Sequence, residues 1–468
     1  MQRENKYKFI IGGLHSKKKV LDDKEYVDIA LKTHEYLETL RIDDKDGIYW
    51  ANHGKENGDG AIYTGSAGVI YFYIELYNMT KDEKYLDIIN KAADYIGINW
   101  RKAGEAGVAM LREYGINEDL GTIYNYYSGA ASTGEGLIAV YQLTHRDKDK
   151  AAVKEMTDFI LENAKEDKNG LYWGIDCTMF HNAGTMIYLY HAAEFLQDEH
   201  IKEAASRAAD RIVANAIEDP RGGYAWTSTL HAGVDRVPNF EGGTAGTGYA
   251  LTVAYKYTHK EAYKHAAKEA AKHIIAIAVK QGDGFLIPWH DTPDEEPIFY
   301  LANCHGPAGT SKLFYGLYQI TGEEVYLDYI KKLYYGMRHL GAPEKMSAGY
   351  WNTVCVCCGT AGILQFLINC GIIFNKTEFA SEIDHIAELA SEIIVGEQES
   401  KIGGRKGVWP IAYERVKPQN VSPDYGYSIG AAGIAATLLQ YYQYKKKSIS
   451  FGRYIDDPYP TNINLDNE

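Results

Sequence analysis

Apolar residues recur along this chain in two alternating patterns. In the stretches 24–40, 84–96, 151–164, 201–214, 260–276, 324–339 and 383–395 they fall at three- and four-residue steps opposite a polar face, which predicts amphipathic helices. Between these lie runs that are apolar nearly all round, such as Val69-Ile70-Tyr71-Phe72-Tyr73-Ile74. A helix of that kind is predicted to be buried. Each such run follows a small-residue turn: Gly65-Ser66-Ala67-Gly68, Gly129-Ala130-Ala131-Ser132, His181-Asn182-Ala183-Gly184, Gly243-Thr244-Ala245-Gly246, Gly306-Pro307-Ala308-Gly309, Gly359-Thr360-Ala361-Gly362 and Gly430-Ala431-Ala432-Gly433. The starts are 52 to 71 residues apart, room for two helices and a connection. Thr80, Thr144, Thr258 and Thr321 each follow the first glycine of their copy by fifteen residues and are predicted to close the helix. Glycine-aromatic stretches join the helices: Gly47-Ile48-Tyr49-Trp50, Gly170-Leu171-Tyr172-Trp173, Gly223-Tyr224-Ala225-Trp226, Gly349-Tyr350-Trp351 and Gly407-Val408-Trp409. They read as brief strands or turns whose aromatic rings could line a bowl.

The repeat predicts an all-α fold, an (α/α)7 toroid with seven inner helices inside seven outer ones and short strand-like connections. Closure is preferred to an open superhelix because no unit carries an obvious polar cap. All seven turns then gather at one end of the ring, around a central bowl. Residues 1–23 read as an N-terminal extension, 24–450 as the toroid, and 451–468, rich in Asp, Asn and Pro, as a surface or disordered tail.

Charge and composition narrow the function classes. A net charge of −14 excludes a nucleic-acid partner, which needs a basic face. The short run Lys445-Lys446-Lys447 reads as a solvated helix end. Residues 1–19 are charged throughout and hold no signal-peptide core, and no apolar run reaches the roughly 20 residues that span a bilayer. A cytoplasmic protein is expected. Six cysteines in 468 residues are no disulfide framework. Cys177 and Cys370 stand alone and read as packing residues.

The remaining cysteines are grouped by the repeat. Cys304-His305-Gly306 and Cys357-Cys358-Gly359 stand at the same offset in adjacent units, so Cys304 matches Cys357 and His305 matches Cys358. A turn leading into a helix places sulfur near a helix N-terminus, where backbone N–H groups and the dipole favour thiolate. Two such turns face to face would offer three thiolates, a ligand set for Zn2+ with one open position. Cys355 could complete a closed set, although its counterpart Ala302 offers no support. Three thiolates make a weak Lewis acid that suits holding a further thiol as a nucleophile. No HExxH motif points to a hydrolase.

Seven Gly-rich turns on paired helices, a Cys-x-Gly turn in repeat five and a Cys-Cys-Gly turn in repeat six resemble the lanthionine synthetase C (LanC-like) cyclases over roughly residues 24–445. The resemblance implies zinc at the bowl of an α/α toroid, held here by Cys304, Cys357 and Cys358. It also implies a substrate cysteine in a dehydrated precursor peptide whose thiolate adds to dehydroalanine or dehydrobutyrine. Protonation of the enolate then leaves a thioether ring. Cys358, where the common motif has histidine, resembles the Cys-Cys-Gly branch. A separate dehydratase is the expected partner, since no kinase-like or dehydratase-like region precedes the repeats.

The proton-handling half departs from the family. Its histidine before the repeat-four glycine is Gly242 here, preceded by Glu241. The tryptophan before the repeat-five cysteine is Asn303, and the arginine four positions upstream of that cysteine is Tyr300. His305, His181 and Glu241 are the candidate acid–base residues, while His53, His231 and His290 lie on loops that could reach the bowl. Two other readings compete: a zinc protein that binds thiol peptides without turnover, and a carbohydrate enzyme drawing on Asp176, Glu241 and Asp291.

Overall fold

Fourteen α-helices alternate between two rings in a computed structural model that describes residues 20–52, 58–102, 104–105, 108, 121–229, 234–346, 349, 353–397, 406–412, 420–447 and 454–461. The inner ring holds α2 (Ser66–Thr80), α4 (Ala130–Thr144), α6 (Asn182–Leu196), α8 (Thr244–Thr258), α10 (Pro307–Thr321), α12 (Thr360–Ile373) and α14 (Ala431–Lys445). The outer ring holds α1 (Asp23–Glu38), α3 (Glu83–Asn99), α5 (Asp147–Glu162), α7 (Glu199–Ala214), α9 (Glu261–Ala276), α11 (Val325–His339) and α13 (Ala380–Glu397). Each inner helix packs on its two inner neighbours and on the outer helix that follows it. The last inner helix, α14, packs on both α1 and α2, so the chain's two ends together complete the seventh pair. The fold is the expected closed (α/α)7 toroid.

The repeated small-residue turn has a steric cause. A Cβ on Gly309 would lie 1.9 Å from the Asn303 carbonyl oxygen, and one on Gly362 would lie 2.1 Å from that of Val356. The first turn of each helix is thus pressed against the strand of chain that delivers it, and only glycine fits. Repeat two instead uses Ser132, whose Oγ donates to Tyr127 O at 2.8 Å and accepts the Ile62 N–H at 2.8 Å. At the other end, Thr80, Thr144, Thr258 and Thr321 donate their hydroxyls to the carbonyl four residues back. A left-handed residue then turns the chain outward: Lys81, His145, Gln197, His259 or Gly322.

Two-stranded antiparallel hairpins follow five outer helices: β1 (Arg41–Asp44) with β2 (Gly47–Trp50), β3 (Lys165–Asp167) with β4 (Gly170–Tyr172), β5 (Ile217–Glu218) with β6 (Tyr224–Ala225), β7 (Val279–Gln281) with β8 (Gly284–Leu286), and β9 (Pro410–Ala412) with β10 (Val421–Pro423). Their tryptophans do not line a bowl. Trp173, Trp226 and Trp409 are buried, and each indole N–H donates to a carbonyl near the end of the preceding outer helix: Ile160, Ile212 and Ile394. Tyr350 and Trp351 lie outside the described residues.

The expected surface tail is not on the surface where it is described. Residues 454–461 enter the lumen of the inner ring. Tyr454 stacks on Tyr427 and Tyr459 on Tyr315, with ring centroids 4.8 and 4.4 Å apart. Asp456 is fully buried against Lys312 and Tyr127. The segment makes no core of its own, but the inward faces of the inner helices supply one. Among the described residues no helix is long and apolar enough to cross a membrane.

Candidate metal centre

In six of the seven repeats the residue two positions ahead of the inner helix's N-cap joins a rosette around the bowl. Glu241 N–H donates to Cys304 O at 3.0 Å, Cys304 N–H to Cys357 O at 3.1 Å, and Cys357 N–H to Ser428 O at 2.8 Å. Ser428 N–H then donates to Tyr63 O, and Tyr63 N–H to Tyr127 O, both at 3.1 Å. Equivalent positions of repeats four to seven, one and two are thereby stitched together. The repeat register sets their side chains: Glu241, Cys304 and Cys357 are successive members of one ring, and Tyr63 joins them from repeat one.

Cys304, Cys357 and Cys358 bring their sulfurs within 4.8 Å of one another. Sγ of Cys358 lies 3.4 Å from Cys304 and 3.2 Å from Cys357. Zn–S bonds near 2.3 Å put tetrahedral sulfurs roughly 3.8 Å apart, so small side-chain adjustments fit this set to Zn2+. Cys304 and Cys357 are buried and Cys358 is partly exposed. Hydrogen bonds from the Cys304 and Cys358 thiols, and then from Tyr63, hold the Cys357 thiol well below its ordinary range. Burial pushes Cys304 up. Hydrogen bonds to the neighbouring thiols raise Cys358 as well, so the cluster favours negative charge at Cys357 alone. Cys355 does not belong to this group. Burial pushes the lone Cys177 thiol up to about 12 and raises that of Cys370 also, in keeping with packing roles.

Tyr63 was not anticipated. Its hydroxyl donates to Cys357 Sγ at 2.8 Å. The available signal was its offset two residues ahead of Gly65, the same as that of the cysteines ahead of Gly306 and Gly359.

The acid–base candidates fall in three settings. Glu241 is buried beside the sulfurs: Cys357 Sγ lies 3.9 Å from its Oε2, and Asn303 Nδ2 donates to its Oε1 at 3.4 Å. Burial, then the charge at Cys357 and at Asp456, raises its carboxyl well above the usual range. His181 is buried with Nδ1 2.6 Å from Asp176 Oδ1. Burial opposes ionisation of Asp176, but His181 and four donors from Thr178 and Thr229 hold its carboxyl below the usual range. The neighbouring Phe180 ring packs 6.3 Å from that of Tyr63, which ties this dyad to the rosette. The His305 ring packs edge-on against Tyr300 and Trp289, at 5.3 and 6.4 Å. Of the loop histidines, His290 is buried and stacked on Trp289, and His53 and His231 lie outside the described residues.

A second group of ligand type, Asp219, His273 and Asp291, also lies within 4.8 Å. There a cation is built in. Arg221 donates to Asp219 at 2.8 and 2.9 Å and to Asp291 at 2.7 and 2.5 Å, and Arg236 pairs with Asp219 as well. Two guanidinium groups balance two carboxylates. With Asp176 committed to His181 and Asp291 to Arg221, neither is available as half of a glycosidase carboxylate pair.

Comparison with known proteins gives a family match. The model of the family described as lanthionine synthetase C-like protein matches residues 56–452. Among solved structures, nisin cyclase superposes with a TM-score of 0.57 at 15% identity, over 91% of this chain and 95% of its own. An unsaturated glucuronyl hydrolase from Bacillus sp. GL1 gives 0.46 at 13% identity, over 91% and 97%. A D-mannose isomerase gives 0.43 at 14% identity, over 68% and 86%. A search of curated protein sequences finds no match.

Proposed function

Because this chain belongs to the lanthionine synthetase C-like family, we propose that it is a zinc-dependent cyclase of the Cys-Cys-Gly branch, closing thioether rings in a dehydrated peptide. The observation that carries the reading is the convergence of Cys304, Cys357 and Cys358 from two adjacent turns. When bound, zinc would lower the pKa of an incoming thiol and keep it nucleophilic. The chain's own residues would do the rest. Cys304, Cys357 and Cys358 would hold the metal, and Tyr63 would hold Cys357 in place by its O–H···S bond. Addition of a cysteine thiolate to the β-carbon of dehydroalanine or dehydrobutyrine leaves an enolate that must take a proton at the α-carbon.

Glu241 and the Asp176–His181 dyad are the proposed proton handlers, replacing the family histidine whose position is Gly242 here. Glu241 is closest to the sulfurs. His305 is proposed to act from the aromatic wall of Tyr300 and Trp289. A dehydration reaction, by a separate dehydratase, must supply the substrate, and the protein would work in the cytoplasm. The missing histidine favours a second reading, a thiol-peptide binder without turnover.

Metal content tests the first step. The expected result is about one zinc per chain, lost in both Cys304→Ala and Cys358→Ala. Zinc that survives Cys304→Ala would overturn the cross-repeat site. Thioether formation on a dehydrated peptide then separates cyclase from binder. Glu241→Gln is expected to keep zinc and lower turnover by about 100-fold, the usual size of a general-acid contribution.

A further inference from the structure

One cavity beside the start of α6 has no part in the proposed metal site. It holds about 330 Å3 and lies between the loop that joins β4 to α6 and the last turn of α7, with Ile175, Asp176, Arg211 and Ile217 in its lining. Five large apolar side chains are exposed among the described residues, and two of them, Ile175 and Ile217, stand at this cavity with 48% and 37% exposure. Single exposed isoleucines need no explanation, but two beside one cavity of ligand size do. The cavity also holds a prepared cation. Arg211 sits 3.9 Å over the Tyr172 ring, and its Nε donates to Asp167 Oδ2 at 2.8 Å. Its side chain is only 14% exposed, yet neither Nη group donates to any of the described residues. Two N–H groups side by side on a guanidinium held in this way match the two oxygens of a carboxylate. Asp176, the other charge in the lining, has both oxygens engaged, Oδ1 by His181 and Thr178 and Oδ2 by Thr229.

We propose that this cavity binds an aliphatic carboxylate, its two oxygens on the Nη groups of Arg211 and its hydrocarbon part against Ile175 and Ile217. The apolar half selects against small inorganic anions, which gain nothing from it. The guanidinium fork selects a carboxylate over the corresponding neutral amide. A free acid and the C-terminus of a peptide that ends in an aliphatic residue present this same group. The inference goes beyond the cyclase reading and needs no zinc. A peptide held here would nonetheless lie against Asp176, the partner of His181.

The test is calorimetric titration of the full chain with N-acetyl-leucine, N-acetyl-leucinamide, acetate and a tetrapeptide that ends in leucine. N-acetyl-leucine is expected to bind about 10-fold tighter than its amide, the worth of a hydrogen bond to a charged group, and tighter than acetate. Arg211→Gln is expected to erase the preference for acid over amide. Ile217→Ser changes a side chain that is already exposed, so it is expected to keep the fold and that preference while weakening both leucine derivatives by about 5-fold. Equal binding of acid and amide, acetate as tight as N-acetyl-leucine, no saturable binding of any probe, or N-acetyl-leucine unaffected by both substitutions would overturn the proposal. Given binding of N-acetyl-leucine, a tetrapeptide that competes with it assigns the site to peptide termini, and one that is excluded assigns it to free acids. Zinc-free and zinc-loaded protein are expected to bind alike. Loss of the metal reading therefore leaves this site standing, and failure here leaves the clustered cysteines untouched.

Discussion

His273 shows what burial among charges does to a single residue. Its ring is enclosed by Asp219, Asp291, Arg221 and Arg236, with nitrogens 3.8 Å from each carboxylate, too far for hydrogen bonds. Burial first, and the two arginines with it, lower its pKa from 6.5 against the pull of Asp291 and Asp219. The unfolded chain therefore takes up this proton near pH 6.5 while the folded chain does not, so stability falls as pH drops below that value. In thermal melts from pH 7.5 to 5, His273→Gln should lose less stability than the wild-type chain. An identical pH slope in the two proteins would show that the imidazole charges freely in place. The grouping of three cysteines was legible for a different reason. Cys304 and Cys357 share an offset within a repeat, with Cys358 the next residue, and repetition turns sequence offset into spatial position. Tyr63 has that offset too, but tyrosine occurs 39 times in the chain and so carried no signal.

Helix ends account for most of what could be read at the scale of elements. The small-residue turn marked every inner helix because the helix start is pressed onto the incoming chain, a contact that takes glycine in six repeats and Ser132 in repeat two. Gly309→Ala would drive a Cβ to 1.9 Å from Asn303 O and 2.6 Å from Phe240 Cβ. Since Asn303 immediately precedes Cys304, the expected cost is about 3 kcal/mol or more in chemical denaturation, together with loss of the zinc proposed for that site. Retained zinc at wild-type stability would mean that the turn gives way elsewhere. The opposite end is tunable. Gln197 turns α6 outward at φ 59°, a conformation that costs a side-chain-bearing residue about 1 kcal/mol. Gln197→Gly should raise the melting temperature, less the greater freedom it gives the unfolded chain. The hairpins were legible only as strands or turns. The spacing of Trp173, Trp226 and Trp409 does not reveal that each indole serves the preceding outer helix.

Closure of the ring is what the whole molecule adds, and its least legible part is the lumen. Composition marked 451–468 as a surface or disordered tail, because it cannot report what surrounds the segment once the ring has closed. Inside the ring, Tyr126 and Tyr127 donate to Ile455 O and Asp456 Oδ2 at 2.8 and 2.7 Å, and Asn369 Nδ2 donates to Asp457 Oδ2 at 3.2 Å. The Tyr454 hydroxyl lies 2.9 Å from Ser428 Oγ, and Ser428 O accepts the N–H of Cys357, so the segment is two bonds away from the clustered cysteines. The Lys312–Asp456 pair anchors it, with both side chains buried. Removing one partner from such a pair leaves an unmatched charge, whereas removing both can be nearly neutral. Asp456→Ala is therefore expected to cost about 3–5 kcal/mol. Lys312→Met combined with Asp456→Leu should recover at least half of that in urea denaturation. A double variant as unstable as Asp456→Ala would show that the segment is held by its tyrosine hydroxyls and stacked rings, with the ion pair a bystander. Either result bears on the site, because displacing residues 454–461 would free Ser428 and, through it, the backbone bond that fixes Cys357.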